Sequence, residues 1–172
     1  VLATIAQWLS ATCLVSVLWA LLAYSLTFTG NGRMIGSLSR VFLYGMGLNA
    51  ISPIAPTIPA CLFMLYQMTF AVITVALVAG SVADRLRFSA FLLFSTLWLF
   101  IVYVPIAHAV WGGGFLQTFG TIDFAGGLVV HVNAGVAGLV AAMVIGKRRG
   151  YGHDNLAPFD LSLAVIGTGL LW

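Results

Sequence analysis

The sequence contains very little charge. Only 6% of its 172 residues are Asp, Glu, Lys or Arg, whereas a soluble domain carries about 25%. A chain with so few charged groups cannot cover a folded surface with side chains that water solvates well. Because 62% of the residues are also hydrophobic, the composition excludes a soluble domain and predicts an integral membrane protein.

Cysteines and basic clusters are equally scarce. Cys13 and Cys61 lie in apolar sequence, without a CxxC motif or a metal-ligand spacing, so we expect buried thiols, no metal site and no cofactor. The seven Lys and Arg residues stand at the ends of apolar runs rather than in a basic stripe, which excludes nucleic-acid binding. No serine pairs with a histidine in a hydrolase motif, so no enzyme is predicted.

Long apolar runs predict five transmembrane helices. They cover residues 2–28, 60–82, 88–110, 124–146 and 161–172. Each of the first four is long enough to cross the ~30 Å bilayer core at ~1.5 Å per residue. The fifth run is unfinished at the last residue, so we expect a fragment of a longer protein. The predicted fold is therefore an all-α bundle of membrane helices, which forms one partial domain over residues 1–172.

The first connection differs from a simple turn in its composition. Residues 30–60 contain Pro53, Pro56 and Pro59 at three-residue spacing, which favours extended backbone and excludes a long helix.

The orientation in the membrane follows from the basic residues, because Lys and Arg accumulate on the cytoplasmic side. Five of the seven lie in 83–87 and 147–160, and two in 29–60 and 111–123. We therefore expect the first pair of connections in the cytoplasm and the second pair outside.

The run from Asp123 to Arg149 holds an acid at one end, three basic residues at the other and one histidine between them. On a helical wheel one face carries Gly127, His131, Ala134, Gly135, Gly138 and Ala142. Small residues let membrane helices approach closely. His131 is either a core histidine bonded to a neighbouring helix or a functional group inside the membrane. Asp123 is predicted to cap the helix, and its charge would also favour a cation at the outer mouth.

Aromatic residues offer a second group of candidates. Trp111 ends a predicted span beside Gly112-Gly113-Gly114. It is either an interfacial tryptophan or a fixed ring whose face attracts cations. Tyr66 and Phe70 are four residues apart and share a helix face, which serves packing or function. Sequence alone leaves both pairs of alternatives open.

Several uncommon motifs occur in a fixed order along the chain. They are Tyr66-Gln67-Met68-Thr69-Phe70-Ala71, Val110-Trp111-Gly112-Gly113-Gly114, Asp123-Phe124-Ala125-Gly126-Gly127, His131-Val132-Asn133-Ala134-Gly135 and Gly146-Lys147-Arg148. Together they resemble the signature of the ammonium transporter family (Amt/Mep, relatives of the Rh proteins) along essentially the whole chain. The resemblance implies the second to the start of the sixth of eleven helices, in a fold with inverted repeats.

The resemblance also implies a mechanism and roles for particular residues. In the family, ammonium is recruited by aromatic faces at an outer vestibule, is deprotonated, and crosses an apolar pore lined by histidines as the neutral amine. Trp111 and Phe70 match vestibule positions, and Tyr66 stands where many members have phenylalanine. Asp123 matches the acid that supports recruitment, and His131 matches the first of two pore histidines. A homotrimer and a PII-type regulatory partner are further family expectations.

Two other functions remain as alternatives. Related proteins use the same membrane domain as an ammonium sensor attached to a signalling module. A haem-binding electron-transfer protein would instead use His108 and His131 as paired ligands on adjacent helices. The depths of these two histidines in their predicted spans match poorly, which weighs against the haem.

Overall fold

The computed structural model describes residues 2–47, 49–155, 157 and 160–171. Within them, four helices are long and apolar enough to cross a membrane: Leu2–Phe28 (α1), Ala60–Val82 (α2), Phe88–Thr118 (α3) and Gly127–Ile145 (α4). A shorter apolar helix, Leu161–Leu171 (α5), follows. The prediction of an α-helical, multi-pass membrane bundle is confirmed. Trp172, the last residue of the predicted fifth span, lies outside the described residues.

Three of the long helices contain a π turn, at Trp19–Ala23 in α1, Leu99–Tyr103 in α3 and Gly127–Val132 in α4. In such a turn an N–H donates to the carbonyl five residues back. The turn in α3 immediately precedes the segment containing Pro105, which has no N–H to continue the α-helical ladder. The wider winding lies where that ladder loses a bond. A regular helical wheel contains none of these turns.

The centre of the bundle is built on Trp19, whose side chain is fully buried. Its ring makes edge contacts with Tyr24, Phe28 and Tyr103 at centroid distances of 6.0, 6.2 and 6.3 Å. The indole N–H donates to the main-chain oxygen of Met64 at 3.1 Å, so the one polar group of the ring is satisfied inside the membrane. These contacts hold α1 against α2 and α3. Helix α2 packs in turn against α4.

Close packing between α2 and α4 is observed at one of the three predicted glycines. A Cβ on Gly138 would lie 3.1 Å from Oγ of Ser81, so a larger residue would push the helices apart. The Cβ position of Gly127 has its nearest neighbour at 3.8 Å, and that of Gly135 has none within 4 Å among the described residues. Gly127 lies within the π turn, which a regular wheel does not include, and close packing at this residue stays a prediction. Close packing at Gly135 stays a prediction.

The connection between α1 and α2 contains a short hairpin that the sequence did not predict. Strand β1 (Ile51–Ser52) pairs antiparallel with β2 (Ala55–Pro59). The prolines of β2 are extended as predicted, and a two-stranded ribbon tolerates them because each strand has an unpaired edge. Ala60 N–H donates to Ala50 O at 2.7 Å, which joins the hairpin to the start of α2.

The prediction of buried thiols is wrong for Cys13, which is exposed, while Cys61 is half-buried. In a membrane helix, apolar neighbours do not distinguish a core position from one that faces lipid, because lipid tails are as apolar as a protein core. The cysteine prediction failed for this reason.

Candidate functional site

Aromatic and polar side chains border a cavity of about 430 Å³. It lies near the start of α2 and the end of α3, where these helices meet the connections that are predicted to be external. Its walls include Tyr66, Phe70, Trp111 and Asp123, all of which the sequence singled out. The Phe70 ring lies 5.2 Å from that of Tyr66 and 5.4 Å from that of Trp111, edge to face in both cases. Residues far apart in the chain therefore form one aromatic group.

Trp111 is held by a hydrogen bond and by an aromatic contact. Its indole N–H donates to the main-chain oxygen of Asp123 at 2.6 Å, and Phe70 contacts the ring. The chain turns sharply after it, and a Cβ on Gly112 would lie 2.0 Å from the oxygen of Thr27. Only glycine fits there, so the break in α3 after Trp111, between its segments Val104–Trp111 and Phe115–Thr118, places the indole at the cavity.

The Asp123 carboxylate accepts four backbone hydrogen bonds at the start of α4. Oδ1 accepts from Gly126 at 2.8 Å and Gly127 at 2.7 Å, and Oδ2 accepts from Leu128 and Val129 at 2.9 Å each. These N–H groups have no partner in the helix ladder. Capping by Asp123 was predicted, but the helix begins at Gly127 rather than at residue 124. Gly126, at φ 85°, turns the chain so that the carboxylate reaches the first turn.

His131 lies in the π turn of α4 and is exposed. Its Nδ1 is 3.2 Å from the oxygen of Gly126. Since a carbonyl can only accept, the neutral ring carries its proton on Nδ1 and leaves Nε2 as an acceptor. The ring borders a cavity of about 470 Å³, together with Ser81, Gly135 and Gly138. This bond is to the residue that precedes its own helix and not to a neighbouring helix.

Gln67 was not proposed from the sequence as a site residue. It lines the same cavity as Trp111 and Phe70. Its Oε1 is buried and has no hydrogen-bond partner among the described residues. An amide inside an apolar span is itself a signal, because polar groups at membrane depth are costly and tend to be functional.

His108 is completely buried near the end of α3. Its Nδ1 lies 2.8 Å from the oxygen of Thr27, and its Nε2 lies 2.8 Å from the oxygen of Gly32. Both ring nitrogens are therefore engaged by backbone, and neither is free to bind iron, which disfavours the paired-histidine haem. Across the described part of the chain, no group of three or more His, Cys, Asp or Glu could hold a metal ion.

Comparison with known proteins gives one consistent result. A model of the Ammonium Transporter Family matches residues 1–172. The chain is 47% identical to the ammonium transporter of Bacillus subtilis, covering 100% of this chain and 42% of that protein. It is 43% identical to the ammonium transporter of Aquifex aeolicus, covering 100% of this chain and 40% of that protein.

Solved structures agree with the sequence matches. The fold matches Mep2 of Saccharomyces cerevisiae with a TM-score of 0.85 at 36% identity, covering 98% of this chain and 40% of that one. It matches Mep2 of Candida albicans with a TM-score of 0.84 at 38% identity, covering 95% and 37%. The chain thus spans about two fifths of the length of the relatives it matches.

Proposed function

The chain belongs to the ammonium transporter family, and on that premise we propose that it forms the outer vestibule and one pore wall of an ammonium transporter. The observation that carries the proposal is the aromatic group around the 430 Å³ cavity, in which Phe70 contacts both Tyr66 and Trp111, and the Trp111 indole is bonded to the main chain of Asp123. A cavity with aromatic walls and a nearby carboxylate attracts a small cation rather than an anion.

Recruitment of ammonium would rest on three kinds of interaction. Aromatic faces attract a cation by about 0.5–2 kcal/mol, most strongly when it is desolvated. The Asp123 carboxylate contributes the field of a full negative charge, which acts over several ångströms in a medium less polar than water. Gln67 Oε1, which has no hydrogen-bond partner in the described residues, can accept a hydrogen bond from one of the four N–H groups of ammonium. Directional acceptance suits ammonium better than a spherical alkali ion, which needs more oxygen ligands.

Conduction would use the neutral amine. A charged group at the bilayer centre costs at least about 2.5–3.5 kcal/mol, whereas ammonia carries no net charge into the membrane. Along α4 the acceptor nitrogen of His131 can take a hydrogen bond from the neutral amine, or it can receive the proton that ammonium loses on becoming ammonia. Gly135 and Gly138 border the same cavity and leave the imidazole accessible. The opposite wall, with a second histidine, is expected in the part of the relatives that this chain does not span.

Location and assembly follow as parts of the same proposal. We place the protein in the cell membrane, with 83–87 and 147–160 in the cytoplasm and 29–60 and 111–123 outside, because five of seven basic residues lie in the first pair. For assembly and partners, we propose a homotrimer that binds a PII-type regulator on its cytoplasmic side.

The test is selectivity of uptake in the full-length protein that carries this chain. Trp111→Leu removes the indole face and should weaken preference for methylammonium over potassium by about 2- to 30-fold, the range of one cation–π interaction. Trp8→Leu is the matched control, since Trp8 is 46% exposed on α1 and does not border the cavity. Selectivity that is equal in both variants and the parent would refute the vestibule. Binding without uptake in the parent would favour a sensor.

A further inference from the structure

Two polar side chains border the cavity of about 470 Å³ in which His131 lies. They are His131 on α4 and Ser81 on α2, whereas the other described lining residues are alanine, glycine and leucine. Ser81 does not border the vestibule cavity, and the sequence did not single it out. Polar groups at membrane depth are costly and tend to be functional, so a second one beside the histidine is a candidate for a role in conduction.

The Ser81 hydroxyl is available as an acceptor and not as a donor. Its O–H donates to the main-chain oxygen of Val78 at 2.7 Å, so its single proton is already engaged. The hydroxyl oxygen keeps acceptor capacity, because it has two lone pairs. A molecule that brings its own N–H groups, as an amine does, can therefore bind to it as the donor.

The packing of α2 against α4 leaves this oxygen uncovered and holds it in place. A Cβ on Gly138 would lie 3.1 Å from Oγ of Ser81, so a larger residue on α4 would cover the hydroxyl. The Arg85 guanidinium donates through Nη1 to the oxygen of Gly146 at 2.5 Å and through Nη2 to the main-chain oxygen of Ser81. This bridge joins the ends of α2 and α4, and it fixes Ser81 opposite Gly138.

Ser81 lies nearer to the predicted cytoplasmic connections than His131 does. Its neighbour Gly138 follows His131 by seven residues, which corresponds to about 10 Å along α4. A molecule that leaves the imidazole on its way inward passes Ala134 and Gly135, which offer no side-chain acceptor. Because a polar molecule without a hydrogen-bond partner has a raised free energy in apolar surroundings, an acceptor at this depth lowers the barrier to its passage.

The charge of Arg85 favours one form of the substrate beside Ser81. The guanidinium is bonded to the main chain of Ser81 itself, and like charges repel more strongly where the surroundings are less polar than water. Ammonium beside Ser81 would meet this cation, whereas ammonia carries no charge to repel. We propose that Ser81 is a second hydrogen-bonding residue of the conduction path, which accepts an N–H of the neutral amine inward of His131. This inference rests on the proposed transport function.

The test measures methylammonium uptake by the full-length protein in vesicles over a range of concentrations. Ser81→Ala removes the acceptor and should lower the maximal rate by about 2- to 12-fold, the contribution of one neutral hydrogen bond. The concentration that gives half the maximal rate should not change, because recruitment takes place at the vestibule. Ser95→Ala is the matched control, since Ser95 also donates to its own helix, to the oxygen of Phe91 at 2.8 Å, but does not border this cavity.

Ser81→Cys is a second variant, of nearly the same size as the parent side chain. Its thiol can still donate to the oxygen of Val78, but sulfur is a weak acceptor, so the maximal rate should fall as it does in Ser81→Ala. A maximal rate equal to that of the parent in both Ser81 variants would overturn the inference. An equal loss in Ser95→Ala would also overturn it, as would a change confined to the half-maximal concentration.

His131→Ala, measured beside these variants, separates the role of Ser81 from the transport function. Loss of uptake in His131→Ala with unchanged uptake in both Ser81 variants would refute the role of Ser81 and leave the transport function standing. Absence of uptake in the parent protein would refute the transport function, and the role of Ser81 with it.

Discussion

Replacing Asp123 by asparagine tests the four-bond cap at the start of α4. Asparagine keeps the shape of the side chain but only one acceptor oxygen. That oxygen can still accept from Gly126 and Gly127, while the new NH₂ group would face the N–H groups of Leu128 and Val129, which now lie 2.9 Å from Oδ2. Two donors lose their acceptor at about 1–3 kcal/mol each. The expected local loss is therefore about 2–6 kcal/mol.

Hydrogen–deuterium exchange of the full-length protein measures this loss where it occurs. Under conditions in which exchange follows the opening equilibrium, a loss of 2 kcal/mol or more speeds exchange at Leu128 and Val129 by at least about 25-fold. The effect should extend to the indole N–H of Trp111, because its acceptor is the main-chain oxygen of Asp123. The same change should therefore weaken ammonium recruitment.

Asp160→Asn is the matched control for this substitution. Asp160 also precedes a helix, but its Oδ1 accepts a single bond, from Leu163 N–H at 3.1 Å. Its amide oxygen can keep that bond, so exchange at Leu163 should change less than about threefold. Exchange at Leu128 and Val129 within threefold of the parent in Asp123→Asn would refute the reasoning, because the carboxylate would then contribute no more than a neutral cap.

Two further changes test the pore wall and the helix packing. His131→Ala should abolish methylammonium uptake or alter its ion dependence, because it removes the acceptor nitrogen beside the cavity; His153→Ala, in the 147–160 connection, is the control, and unchanged uptake with unchanged ion dependence would contradict the assignment. Gly138→Val should lower the free energy of unfolding by about 1–3 kcal/mol through overpacking against Ser81, measured by denaturant titration. Gly80→Val, where the added Cβ meets nothing within 4 Å in the described residues, should change it much less, and equal losses would argue against the close contact.

The spans were predictable because bilayer thickness and apolar composition constrain them strongly. The residues at which helices start, and the winding of each helix, were less predictable. The π turn at Gly127–Val132 arises where Gly126 and the Asp123 carboxylate set the first turn, an interaction between residues outside and inside the helix. No periodicity in the sequence records it. For the same reason a regular helical wheel does not describe the winding at Gly127.

Individual site residues were predictable only in part. Tyr66 and Phe70 share a face by spacing alone, but their contact with Trp111 joins two helices and depends on how α2 and α3 pack. The family resemblance pointed to these residues, and the structure gives their distances. The bonds of His108 to Thr27 and Gly32 involve backbone oxygens, which every residue carries, so no pattern of side chains could predict them.

The π turn of α4 has a consequence for insertions and deletions. A single π turn accommodates one extra residue relative to an α-helix over the same path. Deleting one residue between Gly127 and His131 should therefore restore regular winding, with His131 still directed toward its cavity and Asp123 still capping the helix. The same deletion in the regular α-helix between His131 and Gly138 would turn Gly138 by about 100° relative to His131, so the π turn is the part of α4 that tolerates a length change of one residue.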